Sequence, residues 1–401
     1  MAQERHVQRA AARLKAVFLL VCVAFLAASC GSRPNNPQEE LAVALLVVEG
    51  GALGMESEYR NAAEMVRREA VLAGGIATPN GRVPLRLETL THGPGVEDGL
   101  RAMRKALASG AVCVIGGATS EQALPMAALA EESRVPFISP GATTPQLTTS
   151  RNYAFRIPYS DAFQARAVAR LCRDGGAQRA AVLFDQGNIY SRTLAAEFKQ
   201  AFIARGGKQA ELAGYLDAKD GAPLLRTLLR SRPEVLFLPV YHVDAPLLVR
   251  QARALGFRGE VLGTDGWDLL RNVDMEGMTG ARFLVVWHPS GQQTEVARGF
   301  LERYTAAFGR QPNSVSAQVY DAFGLLFRAA RQARGFDPQV LAAALRDVTE
   351  FSGVVGYGRY SMGTPARDAQ ILEISSRGLQ RAGTVLSIAT GEGSGDAEVV
   401  Q

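Results

Sequence analysis

Val112-Cys-Val-Ile-Gly-Gly-Ala-Thr-Ser120, answered by Val135-Pro-Phe-Ile-Ser-Pro-Gly-Ala-Thr143, decides the fold. Each stretch opens as a short apolar run and ends in small, hydroxyl-bearing residues. Between them, Ser120–Ser133 has helical spacing. The reading is strand, loop, helix, strand, loop. In a parallel sheet, ligands sit beyond the carboxyl ends of strands, where backbone N–H groups and helix N-termini are exposed. Ser120 and Thr143 would stand at two adjacent strand ends and form a cradle for a small anion such as a carboxylate.

The same grammar extends in both directions. Upstream, Leu41–Val48 reads as a buried strand, 56–73 as a helix, Val83–Leu90 as a strand and Val96–Ser109 as a helix. Such alternation implies a parallel sheet covered on both faces. Tyr153-Ala-Phe-Arg-Ile-Pro158 breaks the rhythm and reads as a crossing between lobes. Strands are then expected at Ala180–Phe184, Gly214–Tyr215, Val235–Pro239 and Val261–Gly263, with helices between. A return crossing near Phe283–His288 precedes two helical stretches, Thr294–Phe308 and Ser314–Arg334.

About 370 residues after a leader exceed one comfortable core, so two lobes are expected. The boundaries drawn are 41–158 with 287–358 for lobe 1 and 159–286 with 359–383 for lobe 2. Residues 384–401, ending in Gly391–Gln401 (GEGSGDAEVVQ), read as a disordered tail.

The first thirty residues stand apart. Arg5, Arg9, Arg13 and Lys15 precede the apolar stretch Ala16–Ala28, which is short for a membrane span. It ends in Leu26-Ala-Ala-Ser-Cys30, which resembles a bacterial lipoprotein signal with Cys30 as the lipidated first residue. Ala27 departs from the usual Leu. Residues 31–40 read as a tether.

The formal charge of +5 is inflated by the leader and falls to about +2 without it. Nucleic-acid binding has no compositional support. Cys113 and Cys172 fit buried thiols rather than a disulfide. The three histidines beyond the leader, His92, His242 and His288, show no metal-ligand spacing. Gly50-Gly-Ala-Leu-Gly54 lacks dinucleotide-loop spacing, and no nucleophile elbow is present. No cofactor, metal or catalytic residue is expected, and an enzyme on a doubly wound sheet has no positive support.

Taken together, the chain resembles the branched-chain amino-acid-binding (Leu/Ile/Val-binding) substrate-binding proteins of ABC transporters. The resemblance runs from about Leu41 to Gly383. It is carried by Ala73-Gly-Gly-Ile76, Ile115-Gly-Gly…Ser120, Ile138-Ser-Pro-Gly-Ala-Thr-Thr-Pro-Gln-Leu-Thr148, Phe155-Arg-Ile-Pro158, Val319-Tyr-Asp-Ala322 and Phe351-Ser-Gly…Gly356. It implies the type I periplasmic-binding fold: two doubly wound parallel-sheet lobes, three crossings and a ligand cleft between them.

The resemblance also implies residue roles. Ser120, Thr143 and the backbone of Gly141 would hold a ligand carboxylate. Tyr190 and Tyr241 would close over the ligand from the second lobe, and Asp265 would pair with its ammonium group. The loop Glu49–Met55 departs from the family's usual sequence, leaving Met55 where an aromatic residue often lies. Trp267 and His242 flank the aligned positions.

The implied function is an exported, lipid-tethered receptor. It captures an amino acid or similar small zwitterion by hinge closure and delivers it to the membrane subunits of an ABC permease. The alternative is a regulatory or sensory lipoprotein of the same fold acting through protein partners. Gly31 after Cys30, where aspartate is associated with inner-membrane retention in Gram-negative cells, favours the alternative and an outer-membrane position.

Overall fold

A computed structural model describes residues 40–271, 274–291, 293–388 and 396–400. The leader, Cys30 and most of the tether lie outside the described residues.

β1 (Leu41–Val48) is apolar throughout and buried nearly end to end, as a central parallel strand covered on both faces must be. It leads into α1 (Glu56–Leu72), whose Tyr59, Ala62, Ala63, Val66 and Ala70 recur at helical spacing and form its buried stripe. The segment expected as one strand over Val83–Leu90 is two. A hairpin of β2 (Ile76–Thr78) and β3 (Gly81–Val83) ends at Val83, and β4 (Leu85–His92) begins beyond Pro84. α2 (Val96–Ala108), β5 (Cys113–Ile115), α3 (Ser120–Ser133), β6 (Phe137–Ser139) and β7 (Ala154–Arg156) follow. The sheet runs β4-β1-β5-β6-β7, parallel throughout.

The second lobe opens with α4 (Asp161–Asp174). It continues through β8 (Arg179–Asp185), α5 (Ile189–Ala204), β9 (Gln209–Tyr215), α6 (Gly221–Leu228), β10 (Val235–Phe237), α7 (Ala245–Ala254), β11 (Glu260–Gly263) and β12 (Arg282–Val285). β9, longer than the expected Gly214–Tyr215, pairs with β8 along its whole length.

The chain then returns to the first lobe as α8 (Glu295–Phe308), α9 (Ser314–Ala330) and α10 (Pro338–Arg346). Asn61 on α1 donates to the Tyr304 hydroxyl at 3.0 Å, and Tyr304 donates to Glu58 at 3.1 Å, which fixes α8 against α1. β13 (Glu350–Gly353), β14 (Gly356–Ser361) and β15 (Thr364–Ala366) make a small antiparallel sheet.

Two expected boundaries are corrected. β14 and β15 stay with the first lobe instead of leaving it at 359. Arg156 N–H donates to Gly363 O at 2.9 Å, Tyr360 OH donates to Arg156 O at 3.2 Å, and the Thr148 and Thr364 hydroxyls meet at 2.7 Å. The tail expected to be disordered from 384 carries strand. β16 (Ala369–Ser375), β17 (Gly378–Ile388) and β18 (Asp396–Val400) add antiparallel to the second sheet, giving the order β18-β17-β16-β12-β11-β10-β8-β9. Asp396-Ala-Glu-Val399 alternates polar and apolar residues, a strand pattern that the small, acidic composition masks.

Cys113 and Cys172 are separate buried thiols. Trp267 is fully buried against Phe283, with ring centroids 5.7 Å apart, so it belongs to the second lobe's core.

Candidate ligand-binding site

The carboxyl ends of β5 and β6 build the first-lobe wall. Ser139 Oγ donates to Gly117 O at 2.8 Å and accepts from Ala142 N at 3.0 Å, locking the two loops together. A Cβ at Gly141 would lie 2.5 Å from Ala118 O, so only glycine permits this approach. The N-cap of α3 is Thr119, whose hydroxyl accepts from Gln122 N at 3.4 Å. Ser120 is therefore free of capping, and its Oγ accepts from Thr144 N at 3.4 Å across the two loops.

Arg156 holds this wall from behind. It is fully buried, and its guanidinium donates to Thr143 O at 2.6 Å and Thr144 O at 2.7 Å. Burial pulls it down to about 10. It stays charged at neutral pH and anchors these loop carbonyls. Asp161 at the start of α4 is buried near it and near Thr143; desolvation pushes its carboxyl well above the usual range.

The second-lobe wall gathers at the ends of β8, β10 and β11. Tyr190 hydroxyl donates to Asp265 Oδ1 at 2.7 Å, lies 2.6 Å from Thr264 Oγ1, and accepts from Gly266 N at 2.9 Å. Gln164 Nε2 also donates to Asp265 Oδ1, at 3.0 Å. Tyr241 stacks on Tyr190 with ring centroids 5.0 Å apart. Desolvation outweighs these hydrogen bonds and pushes the Asp265 carboxyl up to about 6.

Gly141, Tyr190, Tyr241 and Asp265 line one cavity between the lobes, with Met55, Tyr59 and His242. Ser120 and Thr143 do not line it; both are buried within the first-lobe wall beside it. The cavity is about 50 Å³, small against the roughly 300 Å³ or more of a usual ligand site. The lobes are drawn close. Glu121 on α3 accepts the backbone N–H of Ile189 and, at 3.4 Å, of Tyr190, so a first-lobe carboxylate caps the second-lobe helix α5.

Sequence reasoning did not single out Gln164, Arg156, Asp161, Asp268, Ser314 or Gln318. Arg156 sits in Tyr153–Pro158, read only as a crossing, Asp161 at the start of a stretch read only as a helix, and Ser314 and Gln318 in a helix read only as packing. Gln164 and Gln318, polar residues among the apolar positions of their helices, were the one signal in the sequence, and only the fold shows that they are buried.

The model of the family described as "Periplasmic binding protein" matches residues 40–379. The chain belongs to the periplasmic binding protein family. Among its relatives, the Leu/Ile/Val-binding protein homolog 1 of Brucella abortus is 26% identical over 305 residues, covering 75% of this chain and 80% of the relative. A leucine binding protein, LivK, from Thermotoga maritima superposes with a TM-score of 0.78 at 25% identity, over 86% of this chain and 99% of that one. The branched-chain amino acid transporter substrate binding protein LivJ from Streptococcus pneumoniae, in complex with isoleucine, gives 0.75 at 21%, over 90% and 99%. The fold is that of the type I periplasmic binding proteins, two α/β lobes around a cleft.

Proposed function

We propose that this periplasmic binding protein is an exported solute receptor that captures an amino acid or similar small zwitterion and delivers it to an ABC permease. One observation carries the reading. Asp265 faces the cleft from the second lobe, while Gly141, backed by Ser120 and Thr143, forms the opposite wall. A zwitterion needs a carboxylate at one end and donors at the other, and charge-assisted hydrogen bonds in a closed cleft escape much of water's screening. A ligand bridging the walls binds the closed state best, which is what hinge closure requires.

In this reading Asp265 holds the ammonium group. Ser120, Thr143 and the Gly141 backbone hold the carboxylate once the lobes part enough to admit it. Tyr190 and Tyr241 cover the ligand. The leader ending at Cys30 supports export and lipid anchoring. The relatives named for leucine, isoleucine and valine support an amino-acid ligand and a transport role, with binding rather than turnover as the working step. A regulatory lipoprotein acting through protein partners is the second reading, favoured by Gly31 after Cys30 and by the small cavity.

A thermal-shift screen against α-amino acids, amides and carboxylates tests the choice. A ligand at a hundredfold excess over Kd adds about 2.7 kcal/mol of stability. A shift with an α-amino acid that disappears in Asp265→Ala supports the receptor. No shift across the panel favours the regulatory reading.

A further inference from the structure

Besides the ammonium site, the same cavity carries polar groups that no branched aliphatic side chain would satisfy. It is lined by Asp268 and Leu269 from the second lobe and by Ser314, Val315 and Gln318 from α9 of the first. Gln318 is 7% exposed; its Nε2 donates to Ser314 Oγ at 3.0 Å, and its Oε1 has no partner. Asp268 Oδ1 is also a buried atom without a hydrogen-bond partner, with Ser314 the polar side chain beside its carboxyl. Buried polar atoms in native proteins are nearly always paired, and the exceptions call for an explanation.

Both orphan atoms are oxygens, and an amide oxygen can only accept. No lysine or arginine lines the cavity among the described residues. His242, which does line it, is pulled below its ordinary value by burial and brings no charge at neutral pH. Two carboxyls, Asp265 and Asp268, thus share one cavity without a cation from the protein, and burial and their mutual repulsion hold Asp268 well above the usual carboxylate range. A single ammonium group answers one of them.

We infer that Asp268 and Gln318 select a ligand whose side chain ends in a nitrogen donor, an amine, guanidine or amide, rather than a branched aliphatic group. The inference rests on the zwitterion reading above and extends it to the side chain. The two residues come from different lobes, so such a side chain is read only when the cleft closes. A site built to bond an N–H group rejects analogues lacking it, because its own buried acceptors are then left unpaired.

Calorimetric titration of the purified protein with L-lysine, L-arginine, L-glutamine, L-leucine and L-valine tests this. At least one nitrogen-terminated amino acid should bind ~10-fold or more tighter than leucine and valine. Lysine and arginine against glutamine separate the cationic from the amide source. Asp268→Asn and Gln318→Met should each erase most of that preference while leaving leucine binding within about threefold. Leucine or valine binding as tightly as every nitrogen-terminated ligand, or a preference unchanged in both variants, would overturn the inference while leaving the zwitterion receptor standing. Failure of every α-amino acid to bind would overturn both.

Discussion

The Tyr190 hydroxyl donates to Asp265 Oδ1 at 2.7 Å while accepting from Gly266 N at 2.9 Å. The phenol orients the carboxylate and the turn that carries it. Tyr190→Phe leaves Gly266 N and one side of Asp265 without that partner. We expect a loss of about 1–3 kcal/mol in ligand binding and about 1 kcal/mol in stability, read by calorimetry and by denaturant titration.

The Asp265 carboxyl sits at about 6 instead of 3.8. The unfolded chain gives up this proton first as pH rises, so its contribution to stability falls between about pH 3.8 and 6 and then levels off. Asp161 and Asp268, also raised by burial, act with the same sign. Binding runs the other way: an ammonium ligand needs Asp265 ionised. Its affinity should drop up to about tenfold per pH unit below about 6, and Asp265→Asn should flatten that part of the profile. Titrations from pH 5 to 8 check this.

The parallel sheets and the buried thiols were legible because apolar runs and helical spacing report burial directly; Tyr153–Pro158, read as a crossing, instead contains β7, the edge strand of the first sheet. Val83–Leu90 misled because Pro84 splits a continuous β pattern. Asp396–Val400 misled because composition outweighed a short alternation. Of the residues proposed for the site on loops after strands, Gly141, Tyr190, Tyr241 and Asp265 meet at one cavity, while Ser120 and Thr143 are buried in the wall beside it. Gln164 and Gln318 were not legible, because a polar residue within a helix looks solvated until the fold buries it.

Glu121 is the one first-lobe carboxylate that caps a second-lobe helix among the described contacts, accepting from Ile189 and Tyr190. Glu121→Ala removes a capping contact of about 0.5–2 kcal/mol from the closed state alone. The unliganded variant should scatter with a larger radius of gyration, and ligand affinity should fall about 2- to 30-fold, through faster release.

Gly141→Ala places a methyl 2.5 Å from Ala118 O. The two first-lobe loops must separate, at a cost of about 1–3 kcal/mol. Thermal melts should register the loss, and ligand affinity should fall with it, because the same loops form the carboxylate wall.

The most direct test of zwitterion capture is titration of wild type and Asp265→Ala with the tightest-binding α-amino acid, its methyl ester and its analogue lacking the α-amino group. We predict that wild type binds only the intact zwitterion tightly and that Asp265→Ala weakens it at least ~100-fold. Equal binding of the analogue without the amino group, or unchanged affinity in Asp265→Ala, would contradict the account.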